Sequence, residues 1–135
     1  MINWLEKHNK ISFLIVLVMA SIIFYVSSLS FSGTGGGISY KGYIYHFTAF
    51  SYLALFLLIS LSKGKYNKLL ILIAVFIAII YGISDEIHQY FVPNRFPSLI
   101  DILTNSIGIL ITSIAYLKSK LLKPVCLTKK NTKYN

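Results

Sequence analysis

A chain of 135 residues that is 56% hydrophobic and only 13% charged, with a mean hydropathy of +0.69, has too little polar surface to stay dissolved as a small globular domain. The solvent it fits is lipid. A net charge of +9 suits either nucleic acid or an anionic membrane face, and the placement of the lysines between apolar runs selects the membrane and excludes nucleic acid.

Four apolar runs follow one another, at 11–31, 43–62, 69–91 and 99–117, each close to the roughly 20 residues that cross a bilayer as a helix. The first is longer than the apolar core of a signal peptide, and no A-x-A site follows it, so it reads as a retained helix. The connector from Ser32 to Gly42 carries Gly33, Gly35, Gly36 and Gly37. It has neither the lysine nor the helix cap of a phosphate loop and reads as a flexible turn. Lys63 to Lys68 joins the second run to the third, and Val92 to Ser98, with Pro93 and Pro97, joins the third to the fourth. The expected architecture is an all-α, four-helix transmembrane domain over residues 1–117 with a basic tail over 118–135. Cys126 in that tail is the single cysteine, so no internal disulfide is available.

Four spans put both termini on one side. That side holds eleven lysines (Lys7, Lys10, Lys63, Lys65, Lys68 and six in the tail), against Lys41 and Arg95 on the other. The positive-inside rule then makes the termini cytoplasmic and the protein a multi-pass component of the plasma membrane. Aromatic residues such as Tyr40, Tyr43, Tyr45, Tyr90, Phe91 and Phe96 fall near the outer interface, where membrane anchoring is their ordinary role.

The polar residues inside the runs collect at that outer face. At about 1.5 Å per residue, Asp85 and Asn105 lie roughly 9 Å inside their helices and His46 about 5 Å inside its own. Ser28, Ser30, Glu86, His88, Gln89 and Asp101 complete the layer, which takes three of the chain's four carboxylates, Glu6 being the other. A rotation of 100° per residue puts Asp85, Glu86, His88 and Gln89 on one broad face of the third helix. Asp101, Asn105, Gly108 and Thr112 form a polar and small-residue stripe on the fourth, expected to oppose that face. Carboxylates in hydrocarbon persist when paired, hydrated or lining a cavity, and Arg95 is the obvious counter-charge. The candidate binding residues are His46, Asp85, Glu86, Gln89, Arg95, Asp101 and Asn105. The same set also reads as an ion-pair network bracing the third and fourth helices, and His46 as a packed histidine. A metal is not expected, because no H-E-x-x-H or comparable spacing occurs, and no other cofactor is implied.

The run Tyr81-Gly-Ile-Ser-Asp85-Glu86-Ile-His88-Gln89-Tyr-Phe-Val-Pro93-Asn94-Arg95, followed by Ser98, Asp101, Asn105 and Gly108, resembles the signature of the VanZ-like membrane proteins. His46, near the head of an aromatic and apolar helix, matches that family's second element, and the resemblance spans residues 28–108. One position departs: the family usually carries a lysine three residues ahead of this histidine, where the chain has Tyr43 and its nearest lysine is Lys41. The resemblance therefore carries no role over to Lys41. The family takes its name from a protein that lowers sensitivity to teicoplanin, a glycopeptide with a fatty chain that acts on lipid-linked cell-wall precursors outside the membrane. No defined reaction comes with the resemblance.

Three functions compete on these residues. The favoured one is an outward-facing polar site that binds a lipid headgroup or an amphiphilic glycopeptide antibiotic, with Arg95 on an anionic group. The second is a small membrane enzyme acting on an outer-leaflet lipid or lipid-linked precursor, with Asp85, Glu86 or His46 as acid or base and no evident nucleophile. The third is a transporter or lipid-flipping unit, against which the apolar cytoplasmic halves of the runs argue. Self-association stays open.

Overall fold

In hydrocarbon every backbone N–H and C=O must be satisfied within the chain, which leaves an apolar segment the helix as its solution. The computed structural model describes residues 2–30 and 40–131, with side chains as far as Leu122. Those residues form five helices and, among them, no strand: α1 (Ile2–Lys7), α2 (Asn9–Ser27), α3 (Tyr40–Ser62), α4 (Lys68–Tyr90) and α5 (Leu99–Asn131). Four are long and apolar enough to cross a membrane, namely α2, α3, α4 and the Leu99–Leu122 part of α5. The expected connector containing Gly33 to Gly37 and the side chain of Cys126 lie outside what is described.

Local chemistry sets the helix boundaries. Lys63 and Gly64 adopt φ of 50° and 76°, a left-handed pair that ends α3. The Asn67 carboxamide then accepts from Leu69 N at 3.0 Å and Leu70 N at 3.2 Å, capping the exposed amides of α4. After α4, Pro93 and Asn94 make a tight reversal, with Asn94 at φ 61° and Arg95 N donating to Val92 O at 3.1 Å. Asparagine tolerates that left-handed position better than most residues. Ser98 caps α5: its Oγ accepts from Asp101 N at 3.3 Å, and Asp101 stands in the first turn, where a carboxylate suits the helix dipole.

Helix α3 is the centre of the bundle and packs against α2, α4 and α5. Its Phe50, Leu53, Ala54, Leu58 and Ile59 are buried, meeting Ile23 of α2, Ala74 and Ala78 of α4 and Ile109 of α5. Small residues allow close approach between membrane helices. At Gly108 the approach is closest, since a Cβ there would fall 2.7 Å from both Phe47 O and Ser51 Oγ of α3. The outward faces carry exposed Leu14, Val18, Phe24, Phe76, Ile80, Leu103 and Ile111, a surface that lipid covers.

Two features differ from the expected boundaries. The short helix α1 precedes the first span, and its Glu6 forms an ion pair with Lys120 and accepts from Tyr116 Oη at 3.2 Å. Tyr116 Oη also lies 2.7 Å from Ser62 Oγ, so α1, α3 and α5 are tied together at the lysine-rich end. Helix α5, expected to stop at 117, continues to Asn131. Lysine and leucine are good helix formers, and the Lys120 contact fixes the turn where a solvated tail was expected.

Candidate functional site

The polar cluster occupies the end of the bundle away from the lysines. Asp85, Glu86 and Gln89 all point inward from the last two turns of α4, on the same face as Gly82, Ala78 and Ala74. Gly82 lets α3 and α5 come close: a Cβ there would lie 3.3 Å from the Phe50 ring and 3.5 Å from Asn105 Cβ. His46 of α3 and Asn105 of α5 are thereby brought to the α4 face, with 4% and 1% of their surfaces exposed. His46, Asp85 and Glu86 each present a nitrogen or carboxylate oxygen within 4.8 Å of the others.

Gln89 organises the acidic pair. Its Nε2 donates to Asp85 Oδ2 at 3.1 Å and lies 3.5 Å from Glu86 Oε1 and from Ser27 Oγ. The amide of Ser98 donates to Glu86 Oε2 at 3.0 Å, so the cap of α5 also holds a carboxylate of α4. These bonds account for one face of the cluster. The same layer holds buried polar atoms with no partner among the described residues: His46 Nδ1, Asp85 Oδ1, Asp101 Oδ1, Tyr45 Oη and both amide atoms of Asn105. Buried polar groups are almost always partnered, and each one left alone costs on the order of 1–3 kcal/mol. A concentration of them in one layer marks a place where something polar binds.

The expected site residues are only partly gathered. His46, Asp85, Glu86, Gln89 and Asn105 come together as buried neighbours. Asp101 is half-buried at the start of α5, within electrostatic reach of Glu86. Arg95 turns toward α2, its Nε donating to Leu29 O at 3.1 Å and its Nη2 to Val26 O at 3.3 Å. It therefore stitches the C-terminus of α2 to the 91–98 turn, beyond the counter-charge role expected of it. His88 leaves the shared face: it stacks on Phe24 at 4.3 Å and its Nε2 is 2.9 Å from Ser28 Oγ. Lys41 is exposed. The α5 stripe divides, Gly108 facing α3 and Asn105 facing Gly82 of α4.

Sequence reasoning missed Ser27, Gly82 and Phe50. Gly82 could have been found, since it precedes Asp85 by three residues and Glu86 by four and so shares their face. Ser27 is buried where Ser28 was expected, and helical phase alone does not say which of two adjacent serines faces in.

Beside the cluster, a groove of about 340 Å³ runs between α4 and the start of α5. Its walls are Ile83, Ile87, Tyr90, Phe91, Pro97 and Ile102, with Glu86 as its acidic member. A larger cavity of about 620 Å³ lies at the opposite end among Lys10, Lys63, Lys65 and Asn67. Size does not make that cavity the functional site, because the buried unpartnered groups lie at the other end.

Below Asn105 the interior is formed by Phe50, Leu53, Ala54, Ala78 and Ile109, so the polar layer does not continue through the described bundle. No curated protein and no solved structure matches the chain. The VanZ/LLP1 family model matches residues 7–123, which takes in all four candidate spans and every residue of the cluster. The chain is a member of the VanZ/LLP1 family.

Proposed function

We propose that this protein binds an amphiphile at the cell surface: a lipid, a lipid-linked cell-wall precursor or a fatty glycopeptide such as teicoplanin. The polar head meets the His46–Asp85–Glu86–Asn105 layer and the apolar chain lies along α4 and α5. The observation that carries this reading is Glu86. It stands behind the wall of an otherwise apolar, lipid-facing groove, with 1% of its surface exposed, and it backs onto polar atoms that lack partners among the described residues. A carboxylate in hydrocarbon is costly unless it has polar company, and a bound headgroup supplies it.

The lysine asymmetry supports an orientation with termini in the cytoplasm, the cluster outside and the plasma membrane as host. Membership of a family linked to teicoplanin supports an envelope ligand. The apolar interior below Asn105 speaks against a transport path within a single chain.

Native mass spectrometry of protein extracted from its own membrane tests the reading. Wild type should retain one amphiphile per chain through detergent exchange. Ile83→Trp, which fills the groove and leaves the polar residues intact, should lose it while remaining folded. Equal retention in the two proteins, or none in wild type, would overturn the proposal.

A further inference from the structure

The amphiphile reading leaves the most buried part of the cluster unexplained. His46, Asp85 and Glu86 are 4%, 4% and 1% exposed, and a headgroup that meets the layer from the groove does not separate the two carboxylates from each other. Two neighbouring carboxylates repel each other in a medium of low dielectric constant. Gln89 donates to both, but a carboxamide carries no charge to offset theirs. Asp101 adds a third carboxylate nearby, and Arg95, which spends two donors on the Val26 and Leu29 carbonyls, acts on Glu86 less than either neighbouring carboxylate does.

We infer that His46, Asp85 and Glu86 form a binding site for one divalent first-row transition-metal ion, with zinc the best match. A zinc ion at about 2.0–2.2 Å from nitrogen and oxygen ligands holds those atoms roughly 3–4 Å apart, so a set already within 4.8 Å needs to contract only slightly. The required ligand atoms are available. His46 Nδ1 and Asp85 Oδ1 are buried without partners among the described residues. Glu86 is held by Ser98 N and Gln89 at one lone pair on each oxygen and has others to give.

An imidazole with two carboxylates favours zinc, iron or manganese over magnesium and calcium, which prefer sites built from oxygen alone. Two carboxylates and a dication sum to zero charge, which is the arrangement low-dielectric surroundings favour. Gln89 and the Ser98 amide act as the outer shell that fixes the carboxylate rotamers. Three protein ligands leave at least one coordination position for water or for an oxygen of a bound head.

The inference concerns the same site as the amphiphile reading and does not depend on it. The probe is Co²⁺ alone, then Zn²⁺ in competition, added to untagged, lipid-free protein in detergent after chelation. Wild type should bind one Co²⁺ per chain with the visible absorption of a low-coordinate nitrogen and oxygen site, and Zn²⁺ should displace it. His46→Gln and Asp85→Asn should each weaken binding more than tenfold. Gln89→Ala, which keeps all three ligands, should weaken it about 10–100-fold and serves if the ligand variants do not fold. An absence of stoichiometric binding to wild type, or binding that survives both His46→Gln and Asp85→Asn, would overturn the inference. Amphiphile retention measured in chelator separates the two readings: retention without metal binding leaves the proposed function standing, and metal binding without retention removes it.

Discussion

Asn105→Leu separates a ligand site from a structural brace. Asn105 is buried between α5 and Gly82 of α4, and neither its carboxamide oxygen nor its nitrogen has a partner among the described residues. Leucine shares the branched four-atom side-chain skeleton of asparagine, is bulkier, and carries no polar atom. In ligand-free protein the substitution removes an unsatisfied buried amide, whose penalty is about 1–3 kcal/mol, and it adds apolar contact with Phe50 and Ile109. The variant should therefore be more stable than wild type by about 1–3 kcal/mol while losing its retained amphiphile. Unfolding in mixed micelles followed by circular dichroism measures the first effect, and native mass spectrometry the second. A variant less stable than wild type would mean that Asn105 is hydrogen-bonded within the empty protein, and the argument from unpartnered atoms would fail at its clearest residue.

Gly108→Ala should destabilise by about 1–3 kcal/mol, because the new methyl meets the Phe47 carbonyl at 2.7 Å, whereas Gly82→Ala meets only the Phe50 ring edge at 3.3 Å and should cost less; thermal melts of the two rank them. Glu6→Gln leaves Lys120 buried without its partner and should cost about 3–5 kcal/mol, while Glu6→Gln combined with Lys120→Met should recover most of that loss in the same unfolding assay. Ser98→Ala removes the cap of α5 and should cost about 1 kcal/mol. A reporter active only outside the cytoplasm should be silent when fused to the C-terminus and active when inserted near Gly36; the reverse pattern would refute the orientation.

The four spans were legible because length and hydropathy alone decide whether a helix can cross a bilayer. The inward face of α4 was legible in part, since Asp85, Glu86 and Gln89 lie within one helical turn of one another. Local phase does not reveal what a neighbouring helix presents, and two residues lie elsewhere than expected for that reason. His88 was drawn out of the cluster by stacking on Phe24. Arg95 was turned by the Pro93–Asn94 reversal toward the carbonyls that end α2. His46 reached Asp85 and Glu86 through packing of α3 on Gly82, which no ligand spacing along the chain could disclose. The α1–α5 contact was hidden because Glu6 and Lys120 stand at opposite ends of the sequence, and a lone glutamate among lysines reads as solvated.

The central claim is that an amphiphile lies against the α4–α5 groove with its head at Glu86. A phospholipid carrying a photoactivatable group on the acyl chain next to the headgroup tests it directly, with the protein in nanodiscs and adducts mapped by peptide mass spectrometry. Adducts should concentrate on Ile83, Ile87, Tyr90 and Ile102, and excess unlabelled amphiphile recovered from the native membrane should suppress them. Adducts spread evenly over lipid-facing residues such as Leu14, Phe76 and Ile111, with no suppression by the recovered amphiphile, would contradict the account.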